Sequence, residues 1–174
     1  MVSRWGLTWG GWLDNRRGEW WLLAQMILIA AHLLPPWPAP ATWGLAIWPR
    51  PLFGLGSLIL LAGFALAGQG FLALGASLSP LPAPRDDNRL ITNGAYQRCR
   101  HPLYQAVLVC SLGVVIALGS VLHLLLLIAL TMVLRGKAKR EEKALLAKHP
   151  DYAQYRQSVP AIVPGLPGLD WRSR

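Results

Sequence analysis

The sequence predicts an all-α integral membrane protein with about four transmembrane helices, and three observations support this prediction. Of the 174 residues 53% are hydrophobic and only 14% are charged, whereas a soluble domain carries about 25% charged residues. The apolar residues are collected in uncharged blocks at 20–34, 52–78 and 103–134. The third observation is the one-sided distribution of the basic residues, which depends on how the last block crosses the bilayer.

The block at 103–134 is too long for one straight transmembrane helix. At about 1.5 Å per residue its 32 residues reach about 48 Å, whereas the hydrocarbon core of a bilayer is about 30 Å thick. Gly119 and Ser120 stand at its midpoint and favour a turn. The sequence therefore predicts a short helical hairpin over 103–134, which returns the chain to the side where it entered.

With this hairpin, sixteen of the seventeen Lys and Arg residues lie on one side of the membrane. By the positive-inside rule that side is the cytoplasm. Both termini and the 79–101 loop are therefore expected to be cytoplasmic. The net charge of +9 is explained by this topology, and no nucleic-acid partner is predicted.

We expect a single membrane domain over 1–174 with three parts. The first part, 1–19, holds tryptophans at helical spacing (Trp5, Trp9 and Trp12) and is predicted to be a helix lying in the membrane interface. Residues 20–134 form the transmembrane helices. Residues 135–174 are expected to form a cytoplasmic helical tail, with an irregular end from Pro160 onward that folds back or frays.

Small residues recur every seven positions in the second block, at Gly56, Gly63, Gly70 and Ser77. A helix turns only about 20° per heptad relative to this spacing, so these residues share a stripe where another helix can approach closely. We assign the stripe to helix packing.

Isolated histidines and cysteines also occur in or near the apolar blocks. His32 and His123 have no second ligand at metal spacing, so interhelical hydrogen bonds are predicted for both and no metal site. Cys99 and Cys110 are expected to be free thiols that pack as small hydrophobic residues.

Two polar clusters flank the hairpin. They contain Arg98, Arg100, His101 and Tyr104 before it, and Glu141, Glu142, Tyr152 and Tyr155 after it. Together they suit a zwitterionic cofactor, because arginine binds carboxylates, glutamate accepts from hydroxyls or amines, and tyrosine faces suit a base or a sulfonium. On residue types alone, a basic patch that anchors to lipid phosphates is an alternative. Common nucleotide and zinc motifs are absent from the sequence.

The spacing of these residues adds a resemblance. Before the hairpin the chain reads Leu90-x-Thr92-x-Gly94-x-Tyr96-x-x-x-Arg100-His101-Pro102-x-Tyr104, and after it Glu141-Glu142-x-x-Leu145 and Tyr152-x-x-Tyr155. Together these motifs resemble the isoprenylcysteine carboxyl methyltransferase and phospholipid methyltransferase superfamily. The resemblance covers roughly residues 70–164. Three positions depart from the pattern, with Ala106 in place of a common glycine, Ala95 in place of a proline, and His149-Pro150 in place of Phe-Gly.

The resemblance implies an integral membrane methyltransferase that uses S-adenosylmethionine and takes a lipophilic small molecule or lipid from the bilayer. Carried over residue by residue, it implies cofactor binding by Arg100, His101, Tyr104, Glu141, Glu142, Leu145, Tyr152 and Tyr155. Arg100, His101 and Glu142 are the catalytic candidates. The resemblance also implies that the tail over 135–174 closes the cofactor site, with Tyr152 and Tyr155 as the closing residues.

The sequence leaves the acceptor and two other functions open. A carboxylate acceptor needs no general base, whereas an amine or hydroxyl needs His101, Glu141 or Glu142 to remove a proton. One alternative function is a membrane reductase or isomerase of related architecture. The other is a non-enzymatic membrane subunit that docks a partner through its glycine stripe and tryptophans.

Overall fold

The computed structural model describes residues 13–15, 17–45, 48–77, 79, 81 and 90–172, and within them the chain is helical with no β-strand. The helices are α1 (Glu19–Ala31), α2 (Arg50–Leu74), α3 (Pro102–Leu118), α4 (Val121–Lys148) and α5 (Tyr152–Ser158). Short 3-10 turns occupy Pro40–Trp43, Gly75–Ser77 and Gly94–Gln97. The all-α prediction is confirmed.

Two of the helices are long and apolar enough to cross a bilayer, α2 with 25 residues and α4 with 28. Helices α1, with 13 residues, and α3, with 17, are apolar but shorter. Four crossings and cytoplasmic termini therefore stay predictions. The predicted interfacial helix lies mostly outside the described residues, as does most of the 79–89 loop.

The predicted hairpin is confirmed, because α3 and α4 are joined only by Gly119 and Ser120. Gly119 has φ 57°, a left-handed conformation that glycine adopts without the steric penalty of a side chain. Ser120 is the N-cap of α4, and its hydroxyl accepts a hydrogen bond from the backbone N–H of His123. Pro102 begins α3, where its missing N–H costs no hydrogen bond.

Helices α2 and α3 pack along most of their length, and the glycine stripe lies at their interface. Gly56, Gly63 and Gly70 are all buried. A Cβ atom on Gly63 would lie 2.5 Å from Cys110 Sγ, and one on Gly70 would lie 2.7 Å from Leu103 Cδ2. The packing prediction is confirmed for the three glycines, while Ser77 lies beyond α2 in a 3-10 turn.

Helix α4 continues without a break from its apolar part, which ends at Leu134, into the charged tail. Residues 160–172 then fold back onto the segment before α3. Backbone N–H groups of Arg100 and His101 donate to the carbonyls of Pro160 and Ala161 at 2.9 and 3.0 Å. A buried apolar cluster forms where the tail meets α3 and α4, made of Leu108, Leu130, Leu134, Ala138, Ala161, Ile162 and Leu169.

The isolated histidines and cysteines behave as the sequence predicted. His32 Nε2 lies 2.5 Å from Ser111 Oγ of α3, and His123 Nε2 lies 3.3 Å from the carbonyl oxygen of His32. Both histidines therefore link helices. Cys99 and Cys110 are free thiols, and burial raises the pKa of Cys99 to about 11.

Replacing Gly63 by alanine should lower the thermal unfolding midpoint, because the new methyl group would meet Cys110 Sγ and its backbone nitrogen at 2.5 and 2.8 Å. Overpacking of this kind costs about 1–3 kcal/mol. Gly68→Ala is the matched control, since its added Cβ would have no atom within 4 Å. Thermal unfolding in detergent measures both variants, and equal midpoints would contradict the interface.

The predicted topology can be tested by labelling single cysteines with a membrane-impermeant maleimide in sealed vesicles. Arg98→Cys and Lys143→Cys, at exposed positions on the two flanks of the hairpin, should react from the same side. Thr42→Cys, exposed between α1 and α2, should react only from the other side. The parent chain, with Cys99 and Cys110, gives the background. Opposite reactivity of positions 98 and 143 would rule out the hairpin in the membrane.

Candidate active site

The hairpin brings the two polar clusters into direct contact. Arg100 lies two residues before α3, and Glu142 lies in the charged part of α4. The Nε–H of Arg100 donates to Glu142 Oε1 at 2.9 Å, and both side chains are 3% exposed or less. A buried pair of opposite charges therefore joins the two ends of the hairpin.

The guanidinium of Arg100 is largely committed to protein acceptors. Besides Glu142, its Nη1 donates to the carbonyls of Arg156 and Val159 at 2.5 and 2.7 Å. Its Nη2 donates to the carbonyl of Trp171 at 3.4 Å. These contacts take four of the five N–H groups of an arginine, so Arg100 offers a ligand one N–H rather than a bidentate fork.

Glu142 is the centre of this network. Its Oε1 also lies 3.0 Å from His101 Nε2, and its Oε2 accepts from the indole N–H of Trp171 at 2.8 Å. Arg156 Nε lies 3.4 Å from the same Oε2. Burial alone would raise the pKa of Glu142, but the hydrogen bonds from His101 and Trp171 and the charge of Arg100 hold that pKa below its ordinary value.

His101, Tyr104 and Glu141 form a second group on the cavity side of this network. The His101 and Tyr104 rings are stacked, with centroids 5.2 Å apart and planes 2° from parallel. The Tyr104 hydroxyl donates to Glu141 Oε2 at 2.8 Å, and His101 Nδ1 lies 3.7 Å from the same oxygen. His101 thus lies between two carboxylates. The side chain of Glu141 is 30% exposed and can accept a hydrogen bond from a ligand.

Two tyrosines from the tail complete the polar wall. Tyr155 donates its hydroxyl to the carbonyl of Tyr96 at 2.5 Å, which ties α5 to the 3-10 turn before α3. Tyr152 is 1% exposed, and its hydroxyl has no hydrogen-bond partner within the described ranges. Burial raises the pKa of both tyrosines, so both are neutral. A buried hydroxyl without a partner on a cavity wall fits a polar ligand group.

These side chains line a cavity that is partly open to solvent. Its polar wall consists of Tyr96, Arg100, His101, Tyr104, Glu141, Tyr152 and Tyr155. Its apolar wall consists of Leu74, Leu81, Leu90, Ile91, Leu103 and Leu145, with Ser77 and Ser79 between them. The cavity is therefore two-sided, with one polar wall and one apolar wall.

Seven of the eight residues predicted to bind a cofactor line this cavity, and Glu142 lies behind them. Sequence reasoning missed two residues of the network, Arg156 and Trp171. It named no site residue beyond Tyr155, because the segment from Pro160 onward has no helical periodicity. The proximity of Trp171 to Glu142 depends entirely on the fold-back of the tail.

A comparison with protein families decides the family of this chain. Residues 52–153 match the sequence model described as phospholipid methyltransferase. The chain belongs to that family. The match covers more than half of the chain and contains the hairpin, the first polar cluster, and Glu141, Glu142 and Tyr152 of the second. The family is one of methyltransferases, for which S-adenosylmethionine is the implied methyl donor, and the two long apolar helices fit a membrane protein.

Similar curated proteins carry two kinds of name. The cobalt-zinc-cadmium resistance protein CzcN of Cupriavidus metallidurans is 33% identical over 125 residues, or 68% of this chain and 52% of that protein. The protein-S-isoprenylcysteine O-methyltransferase of Schizosaccharomyces pombe is 31% identical over 115 residues, or 65% of this chain and 47% of that protein. The nickel-cobalt-cadmium resistance protein NccN of Alcaligenes xylosoxydans xylosoxydans is 30% identical over 87 residues, or 47% and 39%. The chain spans about half the length of these relatives or less.

The Glu142→Gln variant should be strongly destabilised, because it leaves the buried charge of Arg100 without its partner. Removing one partner of a buried pair lowers the free energy of unfolding by about 3–5 kcal/mol. Glu142 has a lowered pKa in the folded state, so its contribution is present above its ordinary pKa of 4.5 and is lost as the pH falls through the folded value.

Thermal unfolding of the parent and the variant from pH 7 to pH 3 should therefore show a difference that shrinks toward low pH. Glu141→Gln, at the partly exposed neighbour, is the control and should cost much less. A difference between Glu142→Gln and the parent that persists unchanged at pH 3 would contradict an ionised Glu142 in the folded state.

Proposed function

We propose that this protein transfers a methyl group from S-adenosylmethionine to a lipophilic acceptor dissolved in the membrane, in the manner of an isoprenylcysteine carboxyl methyltransferase. The observation that carries the proposal is the two-sided cavity, with a wall of charged and aromatic side chains opposite a wall of leucine and isoleucine. Membership of a methyltransferase family supports it.

The polar wall fits the functional groups of the methyl donor. The open oxygen of Glu141 can accept from an ammonium or from ribose hydroxyls, and the remaining N–H of Arg100 can donate to a carboxylate. The unpartnered hydroxyl of Tyr152 provides a further polar contact. When bound, the cofactor supplies a methyl carbon activated by its bond to a positively charged sulfur.

The apolar wall fits a hydrocarbon chain. Leu74 ends α2 and Leu103 begins α3, so this wall lies where the apolar faces of both helices approach the cavity. An acceptor drawn from the bilayer would keep its chain against these side chains and place its polar end against the opposite wall. Alignment of the two reactants in a site that excludes water is the main contribution such a fold makes to a displacement reaction.

The network also supplies a candidate proton acceptor. Both oxygens of Glu142 are engaged by Arg100, His101 and Trp171, whereas Glu141 has one oxygen beyond its contact with Tyr104. For an amine or hydroxyl acceptor, Glu141 would take the proton directly or through His101. For a carboxylate acceptor no proton is removed, and the same groups only orient the nucleophile.

Further parts of the proposal concern partners and location. We place the protein as a multi-pass membrane protein with both termini in the cytoplasm, so that the cofactor enters from the cytoplasm and the acceptor from the lipid. The fission-yeast relative bears the name of an isoprenylcysteine O-methyltransferase, which favours a lipid-linked acceptor for this site.

Binding of S-adenosylmethionine to the purified protein in detergent tests the proposal by calorimetry. The parent should bind, and Tyr152→Phe should weaken binding by about three- to tenfold, the usual range for one lost hydrogen bond. The thermal midpoint without ligand should hold or rise, because the lost hydroxyl has no protein partner. Lys143→Ala, at an exposed position of α4, is the control. Folded parent protein that binds nothing at millimolar cofactor would defeat the proposal.

A further inference from the structure

Lys137 is buried in a helix whose other basic residues face outward. It is 2% exposed, whereas its neighbours Arg135, Lys139, Arg140 and Lys143 are all exposed. Burying an ammonium is unfavourable unless other groups compensate for the lost hydration. The placement of Lys137 therefore requires an explanation beyond the general basicity of the tail.

Its compensating contacts come from three helical positions. The ammonium donates to Gln25 Oε1 of α1 at 2.7 Å and lies 5.2 Å from the centre of the Tyr104 ring on α3. Glu141 follows one turn later on the same helix, at a spacing that favours attraction between opposite charges. An ammonium at this distance from an aromatic ring is stabilised by the ring's electrons.

Tyr104 connects this cation to the cavity. Its ring is stacked on His101, its hydroxyl donates to Glu141 Oε2, and all three side chains line the cavity. Lys137 itself is absent from the cavity wall that the described residues form. The contacts that connect Lys137 to the cavity run through Tyr104 and Glu141.

We propose that Lys137, held by Gln25 of α1, is a positioning residue that fixes the Tyr104 ring and directs the Glu141 carboxylate at the cofactor end of the cavity. Helix α1 thereby becomes part of the binding site without lining it. This inference rests on the proposed function for its ligand and on the contacts of Lys137 for its geometry. The competing explanation is that Lys137 only fastens α1 to α4.

The first test needs no ligand. In protein labelled with ¹⁵N-histidine, the ring signals of His101 are identified by their loss in His101→Gln. Lys137→Met and Tyr104→Phe should both shift these signals, because the first removes the cation over the Tyr104 ring and the second removes its hydrogen bond to Glu141, and that ring stacks on His101. Lys143→Met removes a charge at an exposed site of the same helix and should leave them unchanged. If Lys137→Met does not fold, Lys137→Gln, which keeps a polar head, carries the same expectation.

The second test is a double-mutant cycle on S-adenosylmethionine affinity. Lys137→Met should weaken binding about fivefold, a part of the roughly thirtyfold value of a desolvated cation–π contact. The effect of Tyr104→Leu, which removes the aromatic ring, should shrink in the Lys137→Met background. Additive effects would mean that Lys137 acts independently of Tyr104. Unchanged His101 signals together with unchanged or additive affinities would overturn the inference. A parent protein that binds no cofactor would instead defeat the proposed function, and the histidine signals would still decide the role of Lys137.

Discussion

The buried carboxylate of Glu142 holds together segments that are far apart in the sequence. It binds Arg100 and His101 before α3, Arg156 of α5 and Trp171 of the tail, while Arg100 in turn binds the carbonyls that end α5. A single negative charge in a poorly hydrated place is compensated only when all of these groups converge. The hydrogen bonds and ion pairs of Glu142 therefore fix the segments that carry the polar wall of the cavity.

A second constraint acts in the apolar half of the molecule. The glycines of α2 let its backbone approach α3 closely, since in a bilayer helices associate through close packing rather than through the exclusion of water. This approach fixes the ends of the two helices, Leu74 and Leu103, on one side of the cavity. Packing of α2 against α3 thus shapes the apolar wall, and the ionic network shapes the polar wall.

The sequence was sufficient for the parts of the fold that local physics determines. The length of the apolar block and the Gly119-Ser120 pair predicted the hairpin, and the seven-residue spacing predicted the glycine interface. Seven of the cavity residues came instead from the family resemblance, carried over residue by residue. It did not show Trp171 beside Glu142 or the burial of Lys137. Both depend on how irregular or distant segments pack. The contact of Trp171 could not be predicted from a tail without periodicity, and the burial of Lys137 could not be predicted from one lysine among several.

The continuity of α4 has a mechanical consequence. One uninterrupted helix runs from the capped turn at Ser120 to the C-cap at His149, and it carries Leu130 at one level and Glu141 and Glu142 at another. An α-helix of this length bends little, so it behaves as a stiff rod. A bilayer of different thickness would be accommodated partly by tilting such a rod. In the membrane topology proposed above, lipid chain length would therefore act on the position of Glu141 and Glu142 through the tilt of α4.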